Sequence, residues 1–368
     1  MSAATKKWVA LTLMLVQNAG FVLVMRYSRK QQAQAAASQY NVSFVVTLQE
    51  FFKAVICFVV EPSSRIALTR PKELARIAVP AVCFVLQNNI LYVALSNLDP
   101  LLFQITYQIK TLLTALFSVA LLGKTLTRIQ WISQLALMAG IVLVQLADAS
   151  ASKSVKSVKA DIGDVAPPQA MAGPPPALPP AAADMRNLPL GLAAVLVAAV
   201  SSAFASVYFE RILKAAPPPS TQGGGPPAPA KQSGGGSLWE RNVELCAWTV
   251  PLNLLLAAWP SGQGGSGLSQ LLSDPLRGFS SSTWGIIVVN GIGGLLVAAV
   301  IKFADNIWKG FATAGAIVLT GCLAPLLDLG PPPSLMLLGG ASLVIAALIL
   351  YAVPASRWSA GRIEARRN

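Results

Sequence analysis

Long apolar runs are the feature of this sequence that most limits its fold. A helix that crosses a bilayer needs about 20 mostly apolar residues. Ten runs approach or exceed that length, at about 8–26, 42–61, 73–97, 100–122, 128–147, 188–213, 238–260, 283–304, 307–329 and 334–354. With 54% hydrophobic and 12% charged residues, the chain lies outside the composition of soluble domains. The sequence predicts an all-α membrane protein with ten transmembrane helices.

Two low-complexity segments divide these runs. Residues 148–187 are rich in proline and alanine, and residues 215–236 alternate proline and glycine. Neither segment has the residues to build a core, so both are predicted to be disordered linkers. The first linker separates a five-helix unit at 1–147 from a second at 188–354, which a basic tail at 355–368 follows.

The two units resemble each other faintly. Residues 17–21 echo 201–205, and 96–99 echo 304–306. Because five is odd, two such units would insert with opposite orientation, which predicts a 5+5 inverted repeat of the kind found in transporters. Chance similarity between apolar segments is the alternative.

The distribution of basic residues predicts how the chain is oriented in the membrane. In a ten-helix arrangement one side carries Lys6, Lys7, the loops 61–72, 123–128 and 211–237, and the tail. The positive-inside rule then places both termini in the cytosol. Arg26, Arg29 and Lys30 lie on the opposite side and weaken this prediction without reversing it.

Composition also excludes several kinds of site. The net charge is +13, but the basic residues lie mostly between apolar runs rather than along one amphipathic face, which argues against nucleic-acid binding. The chain has no histidine, so an imidazole base or a histidine-ligated metal is excluded. The four cysteines fall in different apolar runs without CxxC spacing and indicate core thiols. No cofactor and no metal are expected.

A lysine lies in the middle of the fourth run. Phe103, Tyr107, Lys110 and Thr114 are spaced to share one face of a continuous helix, offering aromatic rings, a cation and a hydroxyl. A charge at this depth is costly in hydrocarbon, which predicts that Lys110 faces a water-filled cavity or a bound anion. The alternative is that Lys110 snorkels or pairs with a buried carboxylate such as Glu50.

A second cationic site is predicted near residue 305. Asp305 or Asn306 can cap the ninth helix, which leaves Lys309 in its first turn. There the helix N-terminus and the lysine would both attract a phosphate. Lys302 is expected to pair with Asp305. Two buried cationic sites indicate a path for a negatively charged solute.

Other polar residues interrupt the apolar runs. The amides at 87–89 predict either hydrogen bonds between helices or a pocket that reads a base. Glu50 and Lys53 are spaced i, i+3 and predict a structural ion pair. Arg241 is interpreted as an interfacial anchor, with Asn242 one step deeper.

Several of these segments, taken in order, resemble the nucleotide-sugar transporters, in the branch that carries CMP-sialic acid, UDP-galactose and UDP-N-acetylglucosamine. The matching segments are 87–99, 103–119, 130–133, 202–214, 237–242 and 293–311. The resemblance implies a ten-helix drug/metabolite-transporter fold in the Golgi membrane. It also implies antiport of a cytosolic nucleotide sugar against a lumenal nucleoside monophosphate.

By motif, the resemblance assigns Lys110 and Lys309 to the phosphates and Asn88 and Asn242 to the nucleotide. Ser202 lies in an element in which the family has two glycines, here Ala203 and Ser206. The expected substrate-binding residues are Asn88, Phe103, Tyr107, Lys110, Ser202, Asn242 and Lys309.

Phe103 also bears on the choice of substrate. Phe84 and Phe103 stand where some relatives have tyrosine, and Phe103 with residues 115–119 is more similar to the UDP-sugar members. The resemblance therefore implies a Golgi antiporter, and not an enzyme, that imports UDP-galactose or UDP-N-acetylglucosamine in exchange for UMP by alternating access.

Three alternatives remain open at this point. One is a CMP-sialic acid/CMP antiporter. Another is a membrane-embedded glycosyltransferase, for which only Glu50, Asp99 and Asp305 come near a membrane face, and none has a partner spaced for acid–base work. The third is a channel, for which no filter-like repeat or ring of charge is visible.

Overall fold

The computed structural model describes residues 2–32, 41–156, 187–215, 236–258, 272–277, 279–329 and 332–353. Within these ranges the regular elements are helices, and no strand occurs. The α-helices of eight residues or more are α1 (Ala3–Gln32), α2 (Val42–Val60), α3 (Pro71–Asn97), α4 (Pro100–Tyr107), α5 (Ile109–Leu122), α6 (Arg128–Lys156), α7 (Leu188–Lys214), α8 (Leu238–Ala258), α9 (Ser281–Phe303), α10 (Asn306–Leu323) and α11 (Leu335–Ala352).

Eight segments of the described chain are long and apolar enough to cross a membrane. They are Ala3–Val24, Ser43–Val60, Pro71–Leu95, Leu101–Leu122, Arg128–Ser150, Leu188–Lys214, Thr283–Phe303 and Leu335–Ala352. The prediction of a helical membrane protein is confirmed. Helices α8 and α10 coincide with the other two predicted runs but carry more polar side chains. Ten spans and a 5+5 repeat stay predictions.

The fourth predicted run is two helices rather than one. It divides at Gln108, whose carbonyl accepts the backbone N–H of Thr111 at 3.0 Å and the Thr111 hydroxyl at 2.9 Å. Hydrogen bonds over three residues tighten the backbone relative to an α-helix. Gln108 itself keeps right-handed helical angles (φ −61°, ψ −19°), so the chain continues from α4 into α5 through one tightened turn.

The boundaries of the predicted linkers are tested only in part. Helix α6 continues to Lys156, nine residues beyond the predicted end of its run at 147. Helix α7 ends at Lys214, next to the start of the second linker. The remainder of the linkers, at 157–186 and 216–235, and the tail from residue 354 lie outside the described residues.

The most extensive helix contacts join the two predicted units. Helix α6 packs on α11, α3 on α7, α2 on α8 and α1 on α9. Each pair takes one helix from before the first predicted linker and one from after it. The two units are therefore interleaved across a shared centre, where polar side chains from both can meet.

The seam between α6 and α11 depends on two glycines. A Cβ atom at Gly340 would lie 2.9 Å from the backbone oxygen of Gly140, and one at Gly140 would lie 3.0 Å from the backbone oxygen of Gly340. Two helical turns away along the same pair of helices, the Ser133 hydroxyl donates to the backbone oxygen of Ala347 at 2.9 Å. Small residues allow the two backbones to approach this closely.

Replacing Gly340 with alanine should therefore lower stability, because the added methyl group meets backbone that cannot move aside. We expect a loss of about 1–3 kcal/mol in the free energy of unfolding, measured by thermal denaturation of the purified protein. Gly339→Ala is the matched control, since a Cβ there meets nothing within 4 Å. Equal melting temperatures for the two variants would contradict this account of the seam.

Candidate functional site

A cavity of ≈ 180 Å³, lined by both apolar and polar side chains, lies among the helices. Its wall is formed by residues of α1 to α3 and α5 to α10. Five of the seven expected substrate-binding residues line it, namely Asn88, Lys110, Ser202, Asn242 and Lys309. The residues that the sequence places on five separate helices thus meet in one chamber.

Two lysines enter the cavity without a carboxylate partner among the described ion pairs. Lys110 Nζ lies 3.4 Å from the Tyr107 hydroxyl and 5.2 Å from the centre of its ring. Lys309 Nζ lies 3.5 Å from the Ser206 hydroxyl. The alternative pairing of Lys110 with Glu50 does not occur. Two ammonium groups facing one cavity make a site for an anion with more than one charge.

The N-terminus of α10 is the place predicted for Lys309. Asp305 caps the helix by accepting the backbone N–H of Trp308 at 2.9 Å. Lys309 therefore lies in the first turn, as predicted, where the capping carboxylate offsets the positive end of the helix dipole. Asn306 opens the helix and also lines the cavity.

Of the three amides at 87–89, Gln87 and Asn88 line the cavity and Asn89 does not. Asn88 lines the cavity and accepts a hydrogen bond from Gln87 Nε2 at 3.3 Å. Asn89 instead donates to the backbone oxygen of Val85 at 2.7 Å, within its own helix. On α8, Asn242 Nδ2 donates to the backbone oxygen of Leu238 at 2.8 Å, which leaves its oxygen available to a ligand.

Phe103 and Tyr107 lie behind the cavity rather than on its wall. Both are buried, and their rings stack at 5.7 Å between centroids. They pack with residues of α3 and α7, among them Leu91, Leu98 and Val195. Only the Tyr107 hydroxyl reaches the lysine.

Several amides on the wall were missed by sequence reasoning about the site. They are Gln17, Gln134, Asn253, Asn290 and Asn306. Within the described part of the chain, Gln17 Oε1, Gln134 Nε2, Asn290 Nδ2 and Asn306 Oδ1 are buried without a hydrogen-bond partner. Buried polar atoms are normally paired, so these atoms are free to receive a ligand or water. A single amide residue within an otherwise apolar, bilayer-length run is the sequence signal that could have placed these residues on the cavity wall.

The chain matches known proteins along most of its length. The profile of the nucleotide-sugar transporter family matches residues 2–220 and 230–352. The chain belongs to the nucleotide-sugar transporter family. It is 35% identical over 364 residues to the UDP-N-acetylglucosamine transporter of Rattus norvegicus, which covers 95% of this chain and 96% of that protein. It is 33% identical over 361 residues to the UDP-galactose translocator of Mus musculus, with 95% and 78% covered.

A solved crystal structure shares the fold of this transporter. It superposes with a TM-score of 0.54 at 15% identity and covers 92% of this chain and 97% of the other. Similarity at this level of identity concerns the fold alone. The family resemblance inferred from the motifs is confirmed by the family profile and by both relatives.

One end of this transporter is held together by a buried carboxylate. Glu210 of α7 is 0% exposed and accepts hydrogen bonds from Lys124 Nζ at 2.8 Å and Lys214 Nζ at 2.9 Å. It also accepts the backbone N–H of Asn306 at 3.0 Å and Asn306 Nδ2 at 2.9 Å. The carboxylate thus occupies the N-terminus of α10, just beyond the cavity wall.

Asp305 joins the same network, which corrects one expectation. Its carboxylate lies 3.1 Å from Lys124 Nζ. The expected ion pair between Asp305 and Lys302 does not form, because the carboxylate is directed toward the loop after α5 instead. Lys124 therefore links the first unit to two carboxylates of the second.

Further contacts between the units lie at this same end. They are Glu73 with Arg241 at 2.8 Å, Arg70 with Glu240 at 3.2 Å, and Ser237 with Glu61 at 2.5 Å. Arg241 is buried in this network and is more than the interfacial anchor expected. At the opposite end of α1, the described ion pair of Arg26 and Asp148 stays within the first unit. The described charged contacts between units therefore concentrate at one end.

Removing Lys124 should loosen this end. Lys124→Ala deletes both ion pairs to the second unit, so the cavity should become more accessible from that side. We would place one cysteine at Thr313 on the cavity wall, with the native cysteines replaced, and measure labelling by an impermeant maleimide from each side of oriented vesicles.

The matched control is Arg26→Ala, which breaks an ion pair about 29 Å along α1 from Lys7. It should leave labelling from the Lys124 side unchanged. Unaltered labelling in Lys124→Ala would show that the network does not hold this end closed.

Proposed function

We propose that this protein is a Golgi antiporter that imports a UDP-sugar, UDP-galactose or UDP-N-acetylglucosamine, in exchange for UMP. The observation that carries the proposal is the pair of lysines, Lys110 and Lys309, facing one cavity without a carboxylate partner among the described ion pairs. Both relatives are named as UDP-sugar carriers, which supports the choice of base.

The lysines supply the mechanism of exchange. In this proposal the phosphates that a nucleotide sugar and a monophosphate have in common bind between Lys110 and Lys309. An empty cavity leaves two like charges buried, which makes closure around it unfavourable. Either anion relieves that repulsion and so allows the closed state to form. Because both substrates act on the same equilibrium, each drives the passage of the other.

The nucleotide is positioned by polar residues around the lysines. Asn88, Asn242 and Ser202 lie on three helices of the cavity wall, and they form hydrogen bonds to the base and ribose in this proposal. Tyr107 takes part through its hydroxyl, which orients Lys110. Phe103 supports the ring of Tyr107 from behind rather than stacking on the base.

Alternating access would be a rocking movement of two five-helix units arranged as an inverted repeat of ten helices. The interleaved pairs α1–α9, α2–α8 and α3–α7 surround the cavity and give each unit a share of its wall. The Glu210 network closes one end, and its release would open that end.

The closed end is the cytosolic one in this proposal. Lys6, Lys7, Arg70, Lys124 and Lys214 lie at helix ends on this side, consistent with the positive-inside rule. The described N-terminus is then cytosolic, as is the end of α11. A lumen-facing cavity is the conformation in which UMP would be collected.

A CMP-sialic acid/CMP antiporter is the second candidate, because the same lysines would serve its phosphate. An enzyme would need a paired acid and base in the cavity. The one carboxylate on the described wall, Glu50, is already bonded to Lys53. A transporter shows stimulation by substrate on the opposite side of the membrane, whereas an enzyme forms a new compound.

Lys110→Ala should reduce uptake of UMP into proteoliposomes to background, since one of the two phosphate-binding charges is lost. The matched control is Lys72→Ala, which removes an exposed lysine at the start of α3 and should leave uptake unchanged. Near-normal uptake by a folded Lys110→Ala protein would remove this residue from the site.

Exchange itself can be measured with the purified protein in liposomes loaded with UMP, CMP or buffer. Internal UMP should stimulate uptake of labelled UMP, and a UDP-sugar should be the strongest competitor. Stimulation by CMP with competition by CMP-sialic acid would instead select the second candidate. Absence of exchange with either nucleotide would overturn the proposed function.

A further inference from the structure

The beginning of α1 contacts the beginning of α10 through a lysine and an aromatic ring. Lys7 Nζ lies 3.7 Å from the centre of the Trp308 ring. Lys7 is half-buried, whereas its neighbours Lys6 and Trp8 are exposed. A lysine near the end of a membrane helix ordinarily extends its ammonium group into water. Lys7 instead covers a ring of another helix, and the cavity makes no use of it.

The ring of Trp308 is held by other rings as well as by the lysine. Trp8 and Tyr351 meet it in T-shaped contacts, with centroids 5.4 Å and 5.5 Å away. Trp308 is 9% exposed, so the ring that Lys7 covers is largely shielded from water. Tryptophan offers a cation the most attractive ring face, and the removal of water strengthens the attraction. The position of Trp308 therefore depends on the charge of Lys7.

This contact crosses between the two predicted units. Lys7 and Trp8 belong to α1, and Trp308 belongs to α10, which packs against α1. Among the described members of the Glu210 network, none lies on α1. That network reaches the first unit through Lys124, in the loop after α5. The Lys7 contact thus fastens a second element of the first unit to α10.

Both fastenings meet at the first turn of α10. The carboxylate of Asp305 accepts the backbone N–H of Trp308 at 2.9 Å and lies 3.1 Å from Lys124 Nζ. Asp305 also attracts the ammonium group of Lys7. The same turn carries Lys309, which lines the cavity. Movement of this turn would therefore change the closed end and the cavity wall together.

The contact can separate without uncovering a large apolar surface. Trp8 is 51% exposed, and Lys214 at the same end repels the ammonium group of Lys7. Further along α1, by contrast, Leu11 and Met14 are buried in the core cluster that contains Trp308. The turn at Lys7 and Trp8 is thus the part of α1 that can leave the ring first.

We propose that Lys7 is a gating residue that acts through the ring of Trp308. Its ammonium group fastens α1 to the first turn of α10 while the end at the Glu210 network is closed, and it leaves the ring when that end opens. This inference rests on the proposed function, in which the carrier alternates between two orientations. It adds a contact that sets how often this end opens.

The first test measures opening directly. Lys7→Met removes the charge and keeps an unbranched side chain. With one cysteine at Thr313 and the native cysteines replaced, an impermeant maleimide applied to oriented vesicles from the side of the network should label this variant about fivefold faster than the parent protein. Labelling from the opposite side should not accelerate. Lys7→Arg keeps a cation for the ring and should label at the parent rate.

Trp308 supplies the partner variant. Trp308→Leu keeps an apolar side chain without a ring face, and should accelerate labelling as Lys7→Met does. The double variant should label no faster than either single variant, because each removes the same contact. Lys6→Met is the matched control, since Lys6 is exposed and its Nζ lies 5.9 Å from the centre of the Phe303 ring. It should leave labelling unchanged.

Exchange kinetics give a readout that a loss of stability would not produce. In proteoliposomes, Lys7→Met should lower the KM for UMP by about fivefold on the side of the network, because the orientation that binds UMP from that side becomes more populated. The KM on the opposite side should not fall. A general loss of stability would instead reduce the amount of active protein for both sides alike.

The outcomes separate this inference from the proposed function. Equal labelling of Lys7→Met and the parent protein would overturn the inference, as would a double variant whose acceleration is the product of the two single effects. A lower melting temperature with unchanged labelling would mean that the contact only stabilises the fold, and would overturn it too.

If Trp308→Leu does not fold, the comparison of Lys7→Met with Lys7→Arg and Lys6→Met decides alone. The labelling test requires no substrate. A protein that opens at both ends as expected but exchanges no nucleotide would therefore overturn the proposed substrate and leave the role of Lys7 standing.

Discussion

The structure depends on the cost of burying charge away from water. A helix of this chain can carry a lysine at bilayer depth only where the ammonium group meets an anion, a carboxylate or a water-filled space. Lys53 of α2 meets the carboxylate of Glu50, and Lys124, in the loop after α5, meets the carboxylate of Glu210. Lys110 and Lys309 meet the cavity. The distribution of charged partners therefore distinguishes the lysines that hold helices together from the lysines that can bind a substrate.

The same constraint organises the two ends and the centre of the protein. Glu210 satisfies two lysines and the N-terminus of α10, and so joins the units where they approach each other at one end. In the central cavity, by contrast, no carboxylate of the described ion pairs neutralises Lys110 or Lys309. In the proposed function, a bound phosphate would neutralise the ammonium group of Lys309, as the carboxylate of Glu210 neutralises that of Lys124. In that function, substrate binding and closure of the protein would thus use one kind of interaction in two places.

Sequence reasoning predicted the cavity lysines because a charge inside a bilayer-length run is a strong and local signal. It also predicted the capping of α10 by Asp305 and the pairing of Glu50 with Lys53, both of which are interactions within one turn. The assignment of Phe103 to the substrate stays a prediction, and its ring lies behind the cavity wall against residues of α3 and α7. The contacts of Asp305 and of the cavity amides join residues that are far apart in the sequence. The spacing of residues along the chain therefore could not predict them.

The partial exposure of the Glu210 network has a consequence for how the transporter responds to its surroundings. Lys124 and Lys214 are 25% and 35% exposed, whereas Lys53 is 2% exposed. Dissolved ions screen charges that water can reach far more than charges that it cannot. Ionic strength on the side of the network therefore weakens the contacts between the units and leaves the ion pair of Lys53 with Glu50 intact. In the proposed alternating-access cycle, the salt composition of one compartment would then set the balance between the two orientations of the carrier.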